Sequence, residues 1–265
     1  MIRAALIGCG AIGTTLARAI DSGKAGEVRL LEIFDLKEER MRELKKKLKH
    51  KPRIVYSFED LLKNKETSLV IEAASQQAVR DYLLKILASG KDVIVMSVGA
   101  LLDQGFCANV RKFAERRGRK IYIPSGAIGG IDAIKAAKLG GIRRVILKTR
   151  KNPKSLGIDP KDISKAMRIY KGEADQASKL FPKNVNVGAT LSLAGIGARE
   201  TSVEIWADPR VRKNIHEIYV SGAFGELCFR VRNVISKLNP KTSYLACLSA
   251  IMTLRKLSEP FQIGT

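Results

Sequence analysis

Histidine and tryptophan are nearly missing from this chain of 265 residues: there are two of the first and one of the second, and aromatic residues make up 6%. The two histidines, His50 and His216, lie far apart, and the four cysteines at 9, 107, 228 and 247 form no C-x-x-C pair. That inventory argues against a metal site, since zinc asks for clustered Cys and His ligands. Three of the cysteines fall in apolar segments, so buried free thiols are expected rather than disulfides. No run approaches about 18 uninterrupted apolar residues, which argues against a membrane-spanning helix. The chain enters its first apolar run at residue 2, leaving no room for a signal peptide, and a cytoplasmic protein is expected. Internal repeats and low-complexity segments are also lacking.

Acidic residues are scarce beside basic ones, 26 against 48, for a net charge of +22 and a pI near 10. Such a balance raises the question of nucleic acid. The positive charge is spread along the chain, however, and its densest run, Arg42 to Arg53, interleaves no aromatic residue on which a base could stack. No specific nucleic-acid partner is expected. A cationic surface does attract anionic substrates and cofactors, and a 28% charged fraction also suits a thermophile.

The most informative segment present is the first. Residues Ile2 to Ile7 are apolar and run into Gly8-Cys-Gly10-Ala11-Ile12-Gly13, a G-x-G-x-x-G turn followed at once by a helical pattern. Gly8 permits the tight turn, Gly10 lets the backbone approach a pyrophosphate, and Gly13 lets helix and strand pack closely. The first helical turn, with Ala11 and Ile12, offers unpaired N–H groups to phosphates. Asp35 ends the next apolar run, 22 residues after Gly13, close to the roughly 20 expected for a carboxylate on the adenosine ribose. The alternative is a fold of the same type whose glycines serve only packing. A carboxylate at this place repels a 2′-phosphate and favours NAD, while Lys37 and Arg40 on the next turn leave NADP open.

Up to residue 124 apolar runs at 2–7, 28–34, 54–56, 69–72, 93–96 and 121–123 alternate with helical patterns, among them 38–48, 76–88 and 106–117. The fold class expected is α/β, a doubly wound parallel Rossmann sheet with a second, smaller α+β domain carrying an open mixed sheet. The dinucleotide domain takes residues 1–124, and the cofactor lies beside the glycine turn, Ala74 and Ser75 at the strand ends. A substrate and dimerisation domain follows at 125–240, with strand-like segments at 144–149, 203–206, 216–221 and 226–233, the last two forming a hairpin. Asn239-Pro240 reads as the cap of a closing helix, residues 241–265 packing back on the first domain. An open sheet commonly needs a partner, so a homodimer is expected.

Hydride chemistry calls for a proton donor or acceptor near the substrate, and histidine suits neutral pH. His50 sits inside the lysine-rich run. His216 follows an Asp208-Pro209 segment that reads as a capped helical turn, and it opens a strand on which it shares a face with Ile218 and Val220. On that pattern alone a structural histidine is the commoner reading.

Several segments speak to the family. Ala73-Ala-Ser-Gln-Gln-Ala-Val79, Pro124-Ser-Gly-Ala-Ile-Gly-Gly-Ile-Asp-Ala133, Phe181-Pro-Lys-Asn-Val-Asn186, Asn214-Ile-His216-Glu, Gly222-Ala-Phe-Gly225-Glu and Asn239-Pro-Lys-Thr-Ser243 stand in the order found in L-aspartate dehydrogenases. The chain resembles that family from Met1 to about Leu257; the basic stretch 42–53 and Gly188 depart slightly from its pattern. The resemblance implies NAD(P)-dependent interconversion of L-aspartate with iminoaspartate, which hydrolyses to oxaloacetate and ammonia and could feed NAD biosynthesis. It implies that His216 is the active-site residue and that Ala127 and Asn186 contact the cofactor. The substrate carboxylates then need donors, for which Lys241 and Thr242 at the start of the closing helix, with Ser125 and Gly126, are the candidates.

Rival enzymes leave marks not found here. Sugar dehydrogenases carry Glu-Lys-Pro where this chain reads Met96-Ser-Val-Gly-Ala100, dihydrodipicolinate reductases carry paired histidines, and Cys107 is a poor thiol nucleophile in its apolar helix pattern. A reductase of another small dicarboxylate or imine, or a non-catalytic NAD-binding regulator, stay as alternatives.

Overall fold

In the first 124 residues strands and helices alternate: β1 (Ile2–Ile7), α1 (Ala11–Asp21), β2 (Val28–Phe34), α2 (Glu38–Lys47), β3 (Arg53–Ile54), α3 (Phe58–Lys63), β4 (Leu69–Glu72), α4 (Gln76–Ala88), β5 (Asp92–Val95), α5 (Gln104–Arg117) and β6 (Ile121–Tyr122). The computed structural model describes residues 1–181, 186–236 and 239–264, the side chains at 160 and 239–241 lying outside that description. The six strands form one parallel sheet in the order β3-β2-β1-β4-β5-β6. Strands buried on both faces read as continuous apolar runs, as Leu69 to Ile71 of β4 and Ala4 to Ile7 of β1 do. The order reverses between β1 and β4, the switch point where a doubly wound sheet opens a crevice. Local signals set the helix ends. Asp103 Oδ1 accepts from the N–H of Phe106, so α5 starts two residues before the expected Phe106, and Gly118 ends it in the left-handed region.

The second unit holds α6 (Ile131–Leu139), β7 (Ile142–Lys151), α7 (Pro153–Leu156), β8 (Met167–Glu173), α8 (Ala174–Leu180), α9 (Asn186–Ala194), β9 (Thr201–Ala207), β10 (Asn214–Gly222) and β11 (Gly225–Asn233). Five strands form a mixed sheet, β11-β10-β7-β9-β8, with β7 and β9 parallel and the other neighbours antiparallel. The hairpin at Gly222 to Gly225 forms as expected, whereas β8 and α8 carry no pattern that marks them in the sequence. On one face of β7, Val145 and Leu147 are buried against the α6 and α9 side of the sheet. The other face is lined by charged side chains laid over aromatics: Lys148 stands 5.3 Å from the Tyr219 ring centre, and Arg150 and Arg168 flank Trp206.

Three expectations are corrected. Residues 239–243 are not the start of a helix but β13 (Asn239–Ser243), paired antiparallel with β12 (Ile235–Ser236). Pairing of Ile235 with Ser243, followed by the Tyr244 N–H donating to the Val234 carbonyl, keeps the chain extended, so the closing helix α10 (Tyr244–Lys256) begins only at Tyr244. Asp208-Pro209 opens a turn and no helix: Asp208 Oδ1 accepts from Arg210 N–H, and the chain passes directly into β10. Of the cysteines, Cys9 and Cys247 are buried, but Cys107 is half-buried, and alternation along β11 exposes Cys228.

The chain divides into two compact units, residues 1–124 with 247–263 and residues 125–246 with 264–265. Ala250 and Leu254 of α10 belong to the core of the first unit, with Leu16, Ile20 and Val28, and Ser258 Oγ accepts from the Glu27 N–H at 3.0 Å. No helix among the described residues is long and apolar enough to cross a membrane.

Candidate active site

The glycine turn bridges β1 and α1, and its three glycines answer to different demands. Gly8 has φ +95°, and a Cβ there would meet the Ala73 carbonyl oxygen at 2.6 Å. A Cβ on Gly13 would stand 1.9 Å from the Gly8 carbonyl oxygen, so close strand–helix packing requires glycine there too. Gly10, the N-cap of α1, has an ordinary φ of −72° and nothing within 4 Å of a Cβ. Packing accounts for Gly8 and Gly13 and leaves Gly10 unexplained, which is the pattern a bound phosphate would impose. Ala11 and Ile12 form the first turn of α1 beside it.

Asp35 follows β2. Its Oδ2 accepts from the Cys9 N–H at 2.7 Å and its Oδ1 from the Lys37 N–H at 2.9 Å, so the carboxylate is fixed at the mouth of the turn. Gly8, Gly10, Asp35, Arg40, Ala74 and Ser75 line one cavity of about 330 Å³, within the range of small-molecule sites. The donors, the open glycine and the acidic residue fit the adenosine side of a dinucleotide. Cys9 takes no part as a nucleophile: burial, then the Asp35 charge, push its thiol up to about 12 against the opposing effect of Arg40.

Sequence reasoning missed Glu72 at the end of β4. It is buried, and its Oε1 accepts from the N–H groups of Ala74 and Ser75 and from Ser97 Oγ, while Oε2 accepts from Met96 and Ser97 N–H. One carboxylate thus ties the β4–α4 loop to the segment after β5. Ser75 then caps α4 by accepting from the Ala78 N–H.

In the second unit His216 is buried within the sheet, opposite Thr149 on β7 and Val231 on β11. Thr149 Oγ1 and His216 Nδ1 are hydrogen-bonded at 3.0 Å, which fixes the ring. Alternation puts Thr149 and Lys151 on one face of β7 and Asn214 and His216 on the matching face of β10. Asn214 Nδ2 donates to Ser243 Oγ at 3.2 Å, and Asn233, its partner across the β10–β11 ladder, donates to the Ala127 carbonyl at 2.8 Å. The turn before α6, with half-buried Ser125 and Gly126 and buried Ala127, is therefore joined to the polar cluster through Asn233. Burial, and then the charge of Lys151, lower His216 to about 3, so its ring is neutral near pH 7. Burial lowers Lys151 to about 8.

Other expected residues stand differently. Asn186 is the exposed first residue of α9. Thr242 is half-buried in β13, so neither it nor Lys241 has a helix N-terminus to lend, and the Lys241 side chain lies outside the described residues. Lys151 escapes sequence reasoning, although its phase with Val145 and Leu147 along β7 is a signal that could have found it.

Comparison with known proteins finds matches along the whole chain. A family model described as the C-terminal part of aspartate dehydrogenase matches residues 132–257, and one described as the NAD-binding domain of homoserine dehydrogenase matches residues 8–124. The L-aspartate dehydrogenase of Methanosarcina barkeri is 46% identical over the full length of both chains. This chain belongs to the L-aspartate dehydrogenase family. A second member of the family, from Nitrosopumilus maritimus, is 43% identical over the full length of both chains. Among solved structures, the aspartate dehydrogenase of Thermotoga maritima aligns over all of both chains with a TM-score of 0.80 and 29% identity. A homoserine dehydrogenase from Thiobacillus denitrificans, at 14% identity and a TM-score of 0.65, shares the fold; the alignment covers 97% of this chain and 73% of that one.

Proposed function

We propose that this chain is an NAD(P)-dependent L-aspartate dehydrogenase, interconverting L-aspartate and iminoaspartate, from which hydrolysis gives oxaloacetate and ammonia. The observation that carries this reading is a ring-fixed, neutral histidine in a buried polar cluster, on a chain that also bears a dinucleotide crevice and belongs to this family. The cofactor, when bound, supplies the hydride acceptor; binding and proton handling fall to the protein.

In this reading Gly8, Gly10, Ala11, Ile12 and Gly13 receive the pyrophosphate, Asp35 the adenosine ribose, and Ala74 and Ser75 flank the cofactor, with Ala127 and Asn186 as further contacts. NAD is the preferred form, because the Asp35 carboxylate disfavours a 2′-phosphate, although Arg40 in the same cavity lends a cation to NADP. His216 acts as the catalytic acid–base group: its neutral ring accepts a proton from the substrate amine or from the water that hydrolyses the imine, and an anionic substrate beside it raises its basicity. Ser125, Gly126, Thr242 and Lys241 are retained as substrate contacts. A homodimer in the cytoplasm completes the proposal. The sheet of the second unit supports the dimer, since among the described residues it ends in β8 and β11 with no further strand beside them.

The deciding assay is NAD- and NADP-coupled oxidation of L-aspartate beside L-glutamate, L-alanine and L-homoserine, with His216→Ala in parallel. Aspartate-selective turnover that drops about a hundredfold or more in the variant is the expected result. Turnover indifferent to the substitution would leave the enzyme and remove His216 from its chemistry.

A further inference from the structure

Thr149 and His216 face each other across the β7–β10 ladder. Along the buried face of β7 the sequence runs Val145, Leu147, Thr149, so the hydroxyl follows two aliphatic side chains. Valine, the isostere of threonine, would fill the same space, and the hydroxyl is the difference. A buried hydroxyl needs a partner. On the β9 side Thr149 pairs with Ile205, whose side chain is apolar. The hydroxyl instead meets His216 Nδ1 on β10, at 3.0 Å.

His216 is placed in the same way from the other direction. Its neighbour on β11 is Val231, again apolar, and its neighbour on β7 is Thr149. Asn214, two residues earlier on the same face, gives its amide to Ser243. Among the described residues the ring is held at Nδ1, and Nε2 is the nitrogen left for a substrate. Threonine is stiff at χ1, so its hydroxyl is a firmer anchor than that of serine. Lys151, next along this face of β7, contributes a positive charge that lowers the proton affinity of His216.

Resting on the aspartate dehydrogenase reading, we infer that Thr149 is a positioning residue for His216: its Oγ1 accepts the Nδ1–H, which leaves Nε2 bare to take the substrate's proton. The acceptor serves the ring before and after that step. Nδ1–H is donated by the neutral ring and by the imidazolium alike, so proton uptake at Nε2 needs no reorientation. The proton leaves the substrate nitrogen, or the water that attacks the imine. The electron pair of the broken bond stays on that atom, and Nε2 returns the proton in the reverse direction. A hydroxyl, unlike a carboxylate, adds no negative charge, so the buried ring stays neutral at rest.

The test uses the untagged full-length protein with Thr149→Val and Thr149→Ser. Loss of ring alignment predicts that Thr149→Val lowers kcat for L-aspartate by about ten- to a hundredfold while KM changes less than about threefold. Thr149→Ser recovers most of the loss, and the Kd for NADH, read by fluorescence, stays within about twofold in both variants. Nitrogen-15 NMR of histidine-labelled protein reads the ring directly, because the chain holds only His50 and His216. Near pH 7 the parent and Thr149→Ser are expected to show a protonated Nδ1 and a bare Nε2 at His216. Thr149→Val is expected to show averaged shifts from a ring no longer held in one tautomer. If the parent proves inert towards aspartate, the proposed activity falls, and the ring spectra still decide whether Thr149 holds Nδ1–H. The inference is overturned if His216 carries its proton on Nε2 in the parent, or if Thr149→Val keeps the parent's kcat and spectrum. It is equally overturned if His216→Ala leaves turnover intact, or if Thr149→Val loses NADH binding and thermal stability along with kcat, the mark of a merely structural threonine.

Discussion

Asp35 holds the backbone N–H of Cys9 at 2.7 Å, so the carboxylate that ends β2 is tied to the glycine turn that ends β1. The same group thus positions the turn and presents a negative charge at the cavity it lines. Asp35→Asn keeps one acceptor oxygen and removes the charge. The ratio of kcat/KM for NADP to that for NAD is expected to rise about tenfold or more, through weaker NAD use and relieved repulsion of the 2′-phosphate. An unchanged ratio, measured with both cofactors at saturating aspartate, would take Asp35 out of cofactor choice.

Gly10 and Gly13 separate binding from folding. Gly13→Ala places a methyl group 1.9 Å from the Gly8 carbonyl oxygen and is expected to cost about 1–3 kcal/mol or more of stability. Gly10→Ala meets no protein atom within 4 Å, so its melting temperature should match the parent while its Kd for NADH rises about tenfold or more. Equal effects of the two substitutions on stability and on binding would contradict this division.

Glu72 makes a structural prediction. Five donors converge on its two oxygens, and Glu72→Gln turns an acceptor into a donor facing some of them. A stability loss of about 2–3 kcal/mol is expected, since buried groups are left without partners, together with weaker NADH binding as Ala74 and Ser75 lose their anchor. Denaturant unfolding and fluorescence titration of the same variant measure the two effects.

His216 makes stability depend on acid. The unfolded chain binds its proton near pH 6.5 and the folded chain only near 3, so stability is whole above pH 6.5 and is lost as the pH falls towards 3. The slope approaches about 1.4 kcal/mol for each pH unit within that window. Thermal melts of the parent and of His216→Gln from pH 7 to 4 should therefore converge in acid. Curves that stay parallel would mean that His216 is not buried in its neutral form.

The first unit was legible because its signals are local. The glycine turn, the acidic residue after β2, and Gly118 at the end of α5 each act within one strand–turn–helix step. The second unit was read less well because its organisation is set by pairing across long stretches of chain. Nothing within Asn239-Pro240 itself reveals that Ile235 will pair with Ser243 and delay the helix. His216 drew notice through the wording of its motif, as the residue that the family resemblance implies for the site. Thr149, Lys151 and Asn233 were not legible, because only the register of β7, β10 and β11 assembles them on one face.

The helix that completes the core of the dinucleotide unit follows the second unit in the chain. Ala250 and Leu254 cannot reach Leu16 and Ile20 until the ribosome has made everything between them. During synthesis the dinucleotide unit therefore waits with an unfilled seam while the whole second unit emerges and folds. A nascent chain cut short before Tyr244 keeps its glycine turn and its sheet but exposes that seam, which makes the unfinished protein a target for chaperones and proteases.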